Sequence, residues 1–271
     1  MEKIKIGTRG SRLALIQAEI AASAFREKGY LPHICVVRTR GDADFSRSLS
    51  EIGRGAFTDV FSDMIARGEI DCAVHSAKDL PTGEEKDGFY CLARADARDV
   101  LVYKGKGGVH RVGTGSPRRA AAVSKLYPEA DILPVRGNVD TRLRKLFSGE
   151  FDAVVLAAAG LSRLGFLQEN GLLFGGNAAC VRYFSPEECV PAACQGIIAV
   201  EGEAGKEIGD AAVLCAALAE RRMQRAVGGD CSGGAGAYLC GDILYAQKDG
   251  RIECTAYRGD ESIRLLAERF V

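Results

Sequence analysis

Gly68-Glu69-Ile70-Asp71-Cys72-Ala73-Val74 and Gly149-Glu150-Phe151-Asp152-Ala153-Val154-Val155 share one pattern: glycine, glutamate, an apolar residue, aspartate, then a run of small and β-branched residues. Each run reads as a buried strand. Upstream of each copy, in the same order, stands a second matching pair. Ile6-Gly7-Thr8 is followed by Ser11, and Val112-Gly113-Thr114 by Ser116 and Pro117. Both read as a strand running into a helix, with serine as the cap and Pro117 at a first helical position. The spacings differ between the halves but the order does not, which predicts two similarly folded lobes. Two such lobes facing each other would make a cleft into which strand carboxyl ends and helix amino ends point.

Around these repeats, short apolar runs alternate with helical patterns. Residues 3–7, 34–39, 71–75, 100–103, 111–113, 132–135 and 153–157 read as strands, and 13–28, 58–67, 118–126, 139–146 and 211–227 as helices. The alternation predicts α/β layers with largely parallel strands. After about residue 205 the character changes. A helix ending near 227 meets a glycine-rich segment, followed by a strand over 237–246, a Lys248-Asp249-Gly250 turn, a strand over 251–257 and a final helix from about 260. That tail predicts a small third domain of the α+β type.

A chain of 271 residues with 47% hydrophobic content is long for one core and predicts two or three domains. Its 36 basic and 36 acidic residues cancel, which argues against nucleic acid or an anionic membrane as partner. Anion chemistry must then come from local clusters of arginine. The opening MEKIKIGTRGSRLAL does not read as a secretory signal, and the apolar stretch 151–161 is about half of a membrane span. A soluble, cytoplasmic chain is the expectation. Ten cysteines form no CxxC pair, and His33, His75 and His110 are scattered, so no metal site is expected. Most of the thiols read as reduced, buried small hydrophobes.

Five clusters carry chemistry. Thr8-Arg9-Gly10-Ser11 places a capping serine and an arginine at a helix start, a basic setting for an anion. Gly113-Thr114-Gly115-Ser116-Pro117-Arg118-Arg119 lacks the third glycine of a dinucleotide fingerprint, and its paired arginines suit carboxylates better. Arg136-Gly137-Asn138-Val139-Asp140-Thr141-Arg142 adds two arginines at a strand end and a helix start, and Arg163 a third. His75-Ser76-Ala77-Lys78-Asp79-Leu80-Pro81 puts a cation beside a carboxylate at the end of a buried strand, where α/β folds keep their chemistry. Asp79 there could stabilise a developing cation and shuttle protons. Finally, Gly229-Asp230-Cys231-Ser232-Gly233-Gly234 holds a cysteine in a glycine-rich loop, favouring covalent work. The implied substrate carries several carboxylates.

In this order the clusters resemble the porphobilinogen deaminase family over nearly the whole chain. The resemblance also takes in Gly53-Arg54-Gly55-Ala56-Phe57 and Pro191-Ala192-Ala193-Cys194-Gln195-Gly196. It implies two lobes like those of periplasmic binding proteins, over 1–93 with 197–211 and over 97–192, and a small α+β domain over 215–271. It implies one dipyrromethane cofactor per chain, held through a thioether by Cys231 and contacted by Lys78, Asp79, Ser116, Arg118 and Arg119. Asp79, with Lys78, would be catalytic. Arg9, Ser11, Arg54, Phe57, Arg136, Arg142, Arg163 and Gln195 would bind substrate. The implied reaction is a transferase reaction joining four porphobilinogen molecules head to tail, with loss of ammonia, into hydroxymethylbilane. A monomer working in the tetrapyrrole and heme route is implied, with hand-over of product to the next enzyme as its one macromolecular contact. Departures from the family pattern are Arg54 for the usual lysine, Cys194 for the usual glycine, and a cofactor loop without its usual proline.

Two other readings compete. A non-catalytic two-lobed protein binding a carboxylate-rich ligand would share the lobes and arginines but leave Cys231 and the third domain unexplained. A thiol hydrolase would pair Cys231 with His75 as base, though no oxyanion motif accompanies the cysteine.

Overall fold

The computed structural model describes residues 2–37, 59–83, 88–105, 107–228 and 234–271. The chain divides into two compact units, Met1–Ala95 with Ile197–Leu218 and Asp96–Gly196 with Ala219–Val271.

In the first unit, strands β1 (Lys3–Arg9), β2 (Leu31–Val37), β3 (Cys72–Ser76), β4 (Phe89–Cys91) and β12 (Ile198–Glu201) form one sheet in the order β2-β1-β3-β12-β4. Helix α1 (Arg12–Glu27) covers one face, burying Ala18, Ala21, Ala22 and Phe25 against Ile4, Ile6, Cys72 and Val74. Phe61 of helix α2 (Asp59–Ala66) packs with Ile70 and Ala73 in a separate cluster. Successive strand residues thus feed opposite faces, as the two-residue period of a strand requires.

The second unit holds β5 (Asp99–Tyr103), β6 (Arg111–Gly113), β7 (Asp131–Leu133), β8 (Ala153–Ala157), β9 (Leu167–Gln168), β10 (Gly171–Phe174) and β11 (Asn177–Tyr183), ordered β7-β6-β8-β5-β11-β10-β9. Helices α3 (Pro117–Leu126), α4 (Val139–Phe147) and α5 (Ala158–Arg163) follow its parallel strands. Helix α6 (Ala211–Ala226) leads to a three-stranded antiparallel sheet of β13 (Gly236–Cys240), β14 (Ile243–Lys248) and β15 (Arg251–Ala256), closed by α7 (Asp260–Glu268). The chain is therefore α/β with a small α+β tail.

The repeated Gly-Glu-apolar-Asp pattern corresponds to a repeated clasp. Asp71 accepts the amide of Lys5 at 2.7 Å, and Asp152 accepts the amide of Arg111 at 2.9 Å. In return the amides of Asp71 and Asp152 donate to the carbonyls of Lys5 and Arg111, each at 2.9 Å. The glycines two residues further on explain the rest of the motif. A Cβ on Gly7 would lie 2.5 Å from Ile70 Cδ1, and one on Gly113 would lie 3.1 Å from Phe151 Cδ1. So the apolar residue of the repeat fills the space that a bare glycine leaves in the neighbouring strand. Ser11 and Ser116 then cap α1 and α3 in the same way.

Three expectations need correcting. Parallel pairing is confined to β1 with β2 and β3, and β6 with β7 and β8; the other described pairs are antiparallel. An antiparallel neighbour needs no helical crossover, so strands such as β12, arriving from distant sequence, leave no mark in a local alternation. The single strand expected over 237–246 is two, since Cys240 pairs with Ile243 across a two-residue turn opened by Gly241 at φ +59°. Of the nine described cysteines, all free thiols, only Cys72, Cys91, Cys189 and Cys194 are buried, while Cys180, Cys215, Cys240 and Cys254 are exposed. Cys240 and Cys254 lie on the thin C-terminal sheet, which has a solvated face.

Replacing either clasp acid by alanine strands a strand-edge amide. Asp71→Ala and Asp152→Ala should each cost about 0.5–1.5 kcal/mol. The double variant should lose the sum, as thermal or urea unfolding would register; a loss well below the sum would mean that the two clasps are not independent.

Candidate functional site

The parallel strands of each unit deliver a cluster of polar side chains at their carboxyl ends. In the first unit Gly7 of β1 lies opposite Ala73 of β3, so Arg9 and Ser11 emerge beside the turn that follows β3. Buried Thr8 donates its hydroxyl to the Ala14 carbonyl at 3.2 Å, pinning the strand-to-helix corner. Ser11 Oγ accepts the Ala14 amide at 3.3 Å. Its oxygen is thus engaged as a cap.

The β3 end is held as firmly. Buried Gln17 of α1 donates to Ser76 Oγ at 2.9 Å, and the Ala77 amide donates to the Ile197 carbonyl at 3.1 Å. Lys78 and Asp79 complete one 3-10 turn, Ala77–Asp79, which buried Leu80 follows. Lys78 is half-buried and Asp79 exposed, and Asp79 makes no hydrogen bond or ion pair among the described residues. A carboxylate fixed on a rigid turn without an internal partner is placed to accept a proton or face a cation. His75 has a different task. Its Nε2 lies 3.0 Å from Glu201 Oε2, its ring meets Phe61 edge-on at 5.2 Å, and the Ser62 hydroxyl donates to the other Glu201 oxygen. That network makes His75 a support of the strand, against its use as a hydrolase base.

In the second unit Gly113 of β6 lies between Leu133 of β7 and Val154 of β8, so the arginine motifs leave three neighbouring strand ends. Ser116 caps α3 with Pro117 at its start, and Asn138 caps α4 by accepting the Thr141 amide at 2.9 Å. Arg142 Nε donates to the Gly137 carbonyl at 2.8 Å. Arg136 is exposed and has no partner among the described residues.

Arg118 and Arg119 are engaged internally, by a residue the sequence reading missed. Asp99, wholly buried at the head of β5, accepts Arg118 Nη1 at 2.6 Å and Arg119 Nε at 2.9 Å. Arg118 Nη1 also donates to the Val190 carbonyl at 2.5 Å, and Arg119 Nη1 to the Val155 carbonyl at 3.2 Å. Gln195 Nε2 donates to Asp99 at 2.9 Å and to the Ala97 carbonyl at 2.7 Å. Burial would raise the Asp99 pKa, but the two guanidiniums and their hydrogen bonds outweigh it and hold the carboxyl far below the usual range. Because the depressed value belongs to the folded state, this stabilisation is present above about pH 4 and fades as pH falls further. An Asp99→Asn variant should be weaker at pH 7 but show a shallower loss between about pH 4 and 2, read by urea unfolding.

Arg163, at the end of α5, is the reverse case. Its Nη2 donates to the Gly196 carbonyl at 2.6 Å, and burial alone lowers its pKa to about 10. No carboxylate among the described residues compensates it. Two residues before Gly196, Cys194 adopts φ +62°, the left-handed region glycine enters freely, so a glycine expected at that position would sit there without strain. Arg54, Phe57 and Cys231 lie outside the described residues.

These features define an α/β protein with a lone carboxylate and several arginines at strand ends, suited to an acidic ligand. A family model described as "Porphobilinogen deaminase, dipyromethane cofactor binding domain" matches residues 4–209. The chain belongs to the porphobilinogen deaminase family. The porphobilinogen deaminase of Ruminiclostridium josui is 41% identical over 254 residues, covering 88% of this chain and 82% of that protein. That of Cytophaga hutchinsonii is 40% identical, covering 84% and 76%, and that of Roseiflexus sp. strain RS-1 is 38% identical, covering 95% and 90%. Among solved structures, an arginine transport system periplasmic binding protein from Legionella pneumophila has a TM-score of 0.42 at 10% identity, covering 79% of this chain and 93% of its own. An ancestral cationic amino acid solute binding protein has a TM-score of 0.44 at 11% identity, covering 79% and 88%. The family assignment rests on the sequence relatives alone. No helix among the described residues is long and apolar enough to cross a membrane.

Arg163→Met keeps the side chain's length and removes the desolvated charge. It should leave the unliganded protein at least as stable, raising Tm by about 2–4 °C for each kcal/mol regained, measured by calorimetry.

Proposed function

We propose that this protein is a cytoplasmic transferase that joins four porphobilinogen molecules head to tail, releasing ammonia at each coupling and, when one water hydrolyses the bond to the cofactor, hydroxymethylbilane at the end. The observation that carries the reading is Asp79: an exposed carboxylate without a partner among the described residues, on a fixed turn after a buried strand, in a chain of this family. The competing reading as a non-catalytic binding protein needs no such group.

Each coupling breaks the bond between the aminomethyl carbon and nitrogen of a porphobilinogen, forms a carbon–carbon bond, and expels a proton from the attacked ring. Asp79 faces the cation that develops as ammonia leaves and accepts the proton lost after coupling. Lys78 supplies a neighbouring positive charge for the acetate and propionate groups. Arg9 and Ser11 act with it in the first unit. Ser116, Arg118, Arg119, Arg136, Arg142, Arg163 and Gln195 act in the second, and Arg54 and Phe57 from the segment outside the described residues. Each pyrrole brings two carboxylates, and losing one desolvated arginine–carboxylate contact should cost about 2–5 kcal/mol.

The described residues suit a dipyrromethane. Its carboxylates would answer the uncompensated guanidinium of Arg163, and Arg118 and Arg119 offer two positive charges against the single one of Asp99. When bound, the cofactor supplies a tethered pyrrole with a free carbon for the first coupling. Cys231 would hold it through a thioether, one per chain, in a C-terminal domain over 215–271, with lobes over 1–93 with 197–211 and over 97–192. No nucleic acid or membrane partner is invoked; the product passes as a small molecule or by hand-over to the next enzyme of its route.

Intact-mass spectrometry tests the reading. The purified protein should exceed its sequence mass by two pyrrole units, and Cys231→Ser should abolish the excess. Asp79→Asn should keep the extra mass while losing about 100-fold or more in turnover, the usual scale of acid–base catalysis. Unmodified mass in active protein, or near-normal porphobilinogen consumption by Asp79→Asn, would overturn it.

A further inference from the structure

The buried cluster around Asp99 holds arginines without cancelling them. One carboxylate faces two guanidiniums, and its other ionisable neighbour, the Cys189 thiol, is pushed up to about 12 by burial and stays neutral. Among the described residues, one positive charge is left in surplus between Arg118 and Arg119. A second acid at this point would have silenced the pair; none at all would leave two like charges buried together with nothing to aim them.

Arg118 is also held from behind. Gln247 of β14, only 1% exposed, donates its Nε2 to the Arg118 carbonyl at 3.1 Å and accepts the Val190 amide on its Oε1 at 3.0 Å. Val190 is the residue whose carbonyl takes Arg118 Nη1. Gln247 pairs in the sheet with Gly236, where a Cβ would come within 2.7 Å of the Val190 carbonyl and 2.9 Å of Arg118 Cδ. The C-terminal sheet is thus fastened to the arginine pair through one amide and one side-chain-free strand position. Gly236 lies five residues beyond Cys231, so covalent reach alone keeps the two Cα atoms within about 18 Å.

We infer that Asp99 and Gln247 are positioning residues. Asp99 aims Arg118 and Arg119 while leaving them a net charge for ligand carboxylates, and Gln247 fixes that pair relative to the strand that leads out of the Cys231 loop. The inference rests on the proposed reading of Cys231 and the two arginines. It makes loading of the cofactor depend on buried groups that touch neither cofactor nor substrate.

The test uses full-length wild-type, Asp99→Asn and Gln247→Met proteins made in cells that produce no porphobilinogen. Each is incubated with porphobilinogen at least 15 °C below its own Tm, where every variant is folded by circular dichroism, and the gain of two pyrrole units is followed by intact mass. Loading of Asp99→Asn should slow about tenfold or more, and that of Gln247→Met severalfold, although both chains are folded. Groups that serve only stability would lower Tm and leave loading at the wild-type rate; that result would overturn the inference. If Asp99→Asn does not fold, Gln247→Met decides alone, with wild-type loading counting against the proposal. A wild-type protein that gains no pyrrole mass would instead sink the underlying reading of Cys231, an outcome the variants cannot imitate.

Discussion

A buried charge must be answered, and in the second unit a buried polar cluster is arranged around answering one. Asp99 has no access to water, so its ionised form exists only because two guanidiniums and the Gln195 amide surround it. Meeting that demand draws together the head of β5, the first turn of α3, the carbonyls of Val155 and Val190, and the loop ending at Gly196. Removing either partner class would leave an unpaired charge, a loss of about 3–5 kcal/mol in comparable buried pairs. The arginines therefore hold the unit together with part of their charge, and the proposed function assigns the remainder to a ligand.

Arg163 is the complementary case. It pairs with no acid among the described residues and spends one donor on the Gly196 carbonyl, so its charge is partly desolvated. Such a group lowers the stability of the empty protein, and in the proposed function a carboxylate arrives with the missing charge. Asp99 and Arg163 thus mark two solutions within one unit, an arginine pair held rigid by a shared counter-ion and a lone arginine left in deficit. Rigidity aims the first; strain sharpens the second.

Much of this was legible in the sequence, and the reason differs from place to place. The repeated Gly-Glu-apolar-Asp pattern could be read because each copy is a short contiguous run; the clasp it makes could not, since Asp71 reaches back to Lys5 and Asp152 to Arg111, far away in sequence. The capping serines, Pro117 and the strand-end placement of Lys78 and Asp79 are local in the same sense. What escaped is non-local. β12 pairs with strands more than a hundred residues away in sequence, and no periodicity in Ile198–Glu201 announces its direction. Exposure of Cys180 or Cys240 depends on which face of a sheet is left uncovered, a matter of packing and not of residue type.

Asp99 was hidden for a sharper reason. An acid just before Val100-Leu101-Val102 reads as the polar edge of a strand, and only the arrival of α3 and the 189–196 loop turns that edge into an interior. The adjacent arginines of α3 advertised a ligand site, and the sequence held no sign that a partner already occupied part of it. The arginines stand in the motif that carries the resemblance, yet the carboxylate that holds them lies in a residue outside every motif. A reading confined to motifs assigns Arg118 and Arg119 wholly to the ligand. The structure ties part of that charge to Asp99, and only the rest is left for the carboxylate that the proposed function assigns to them.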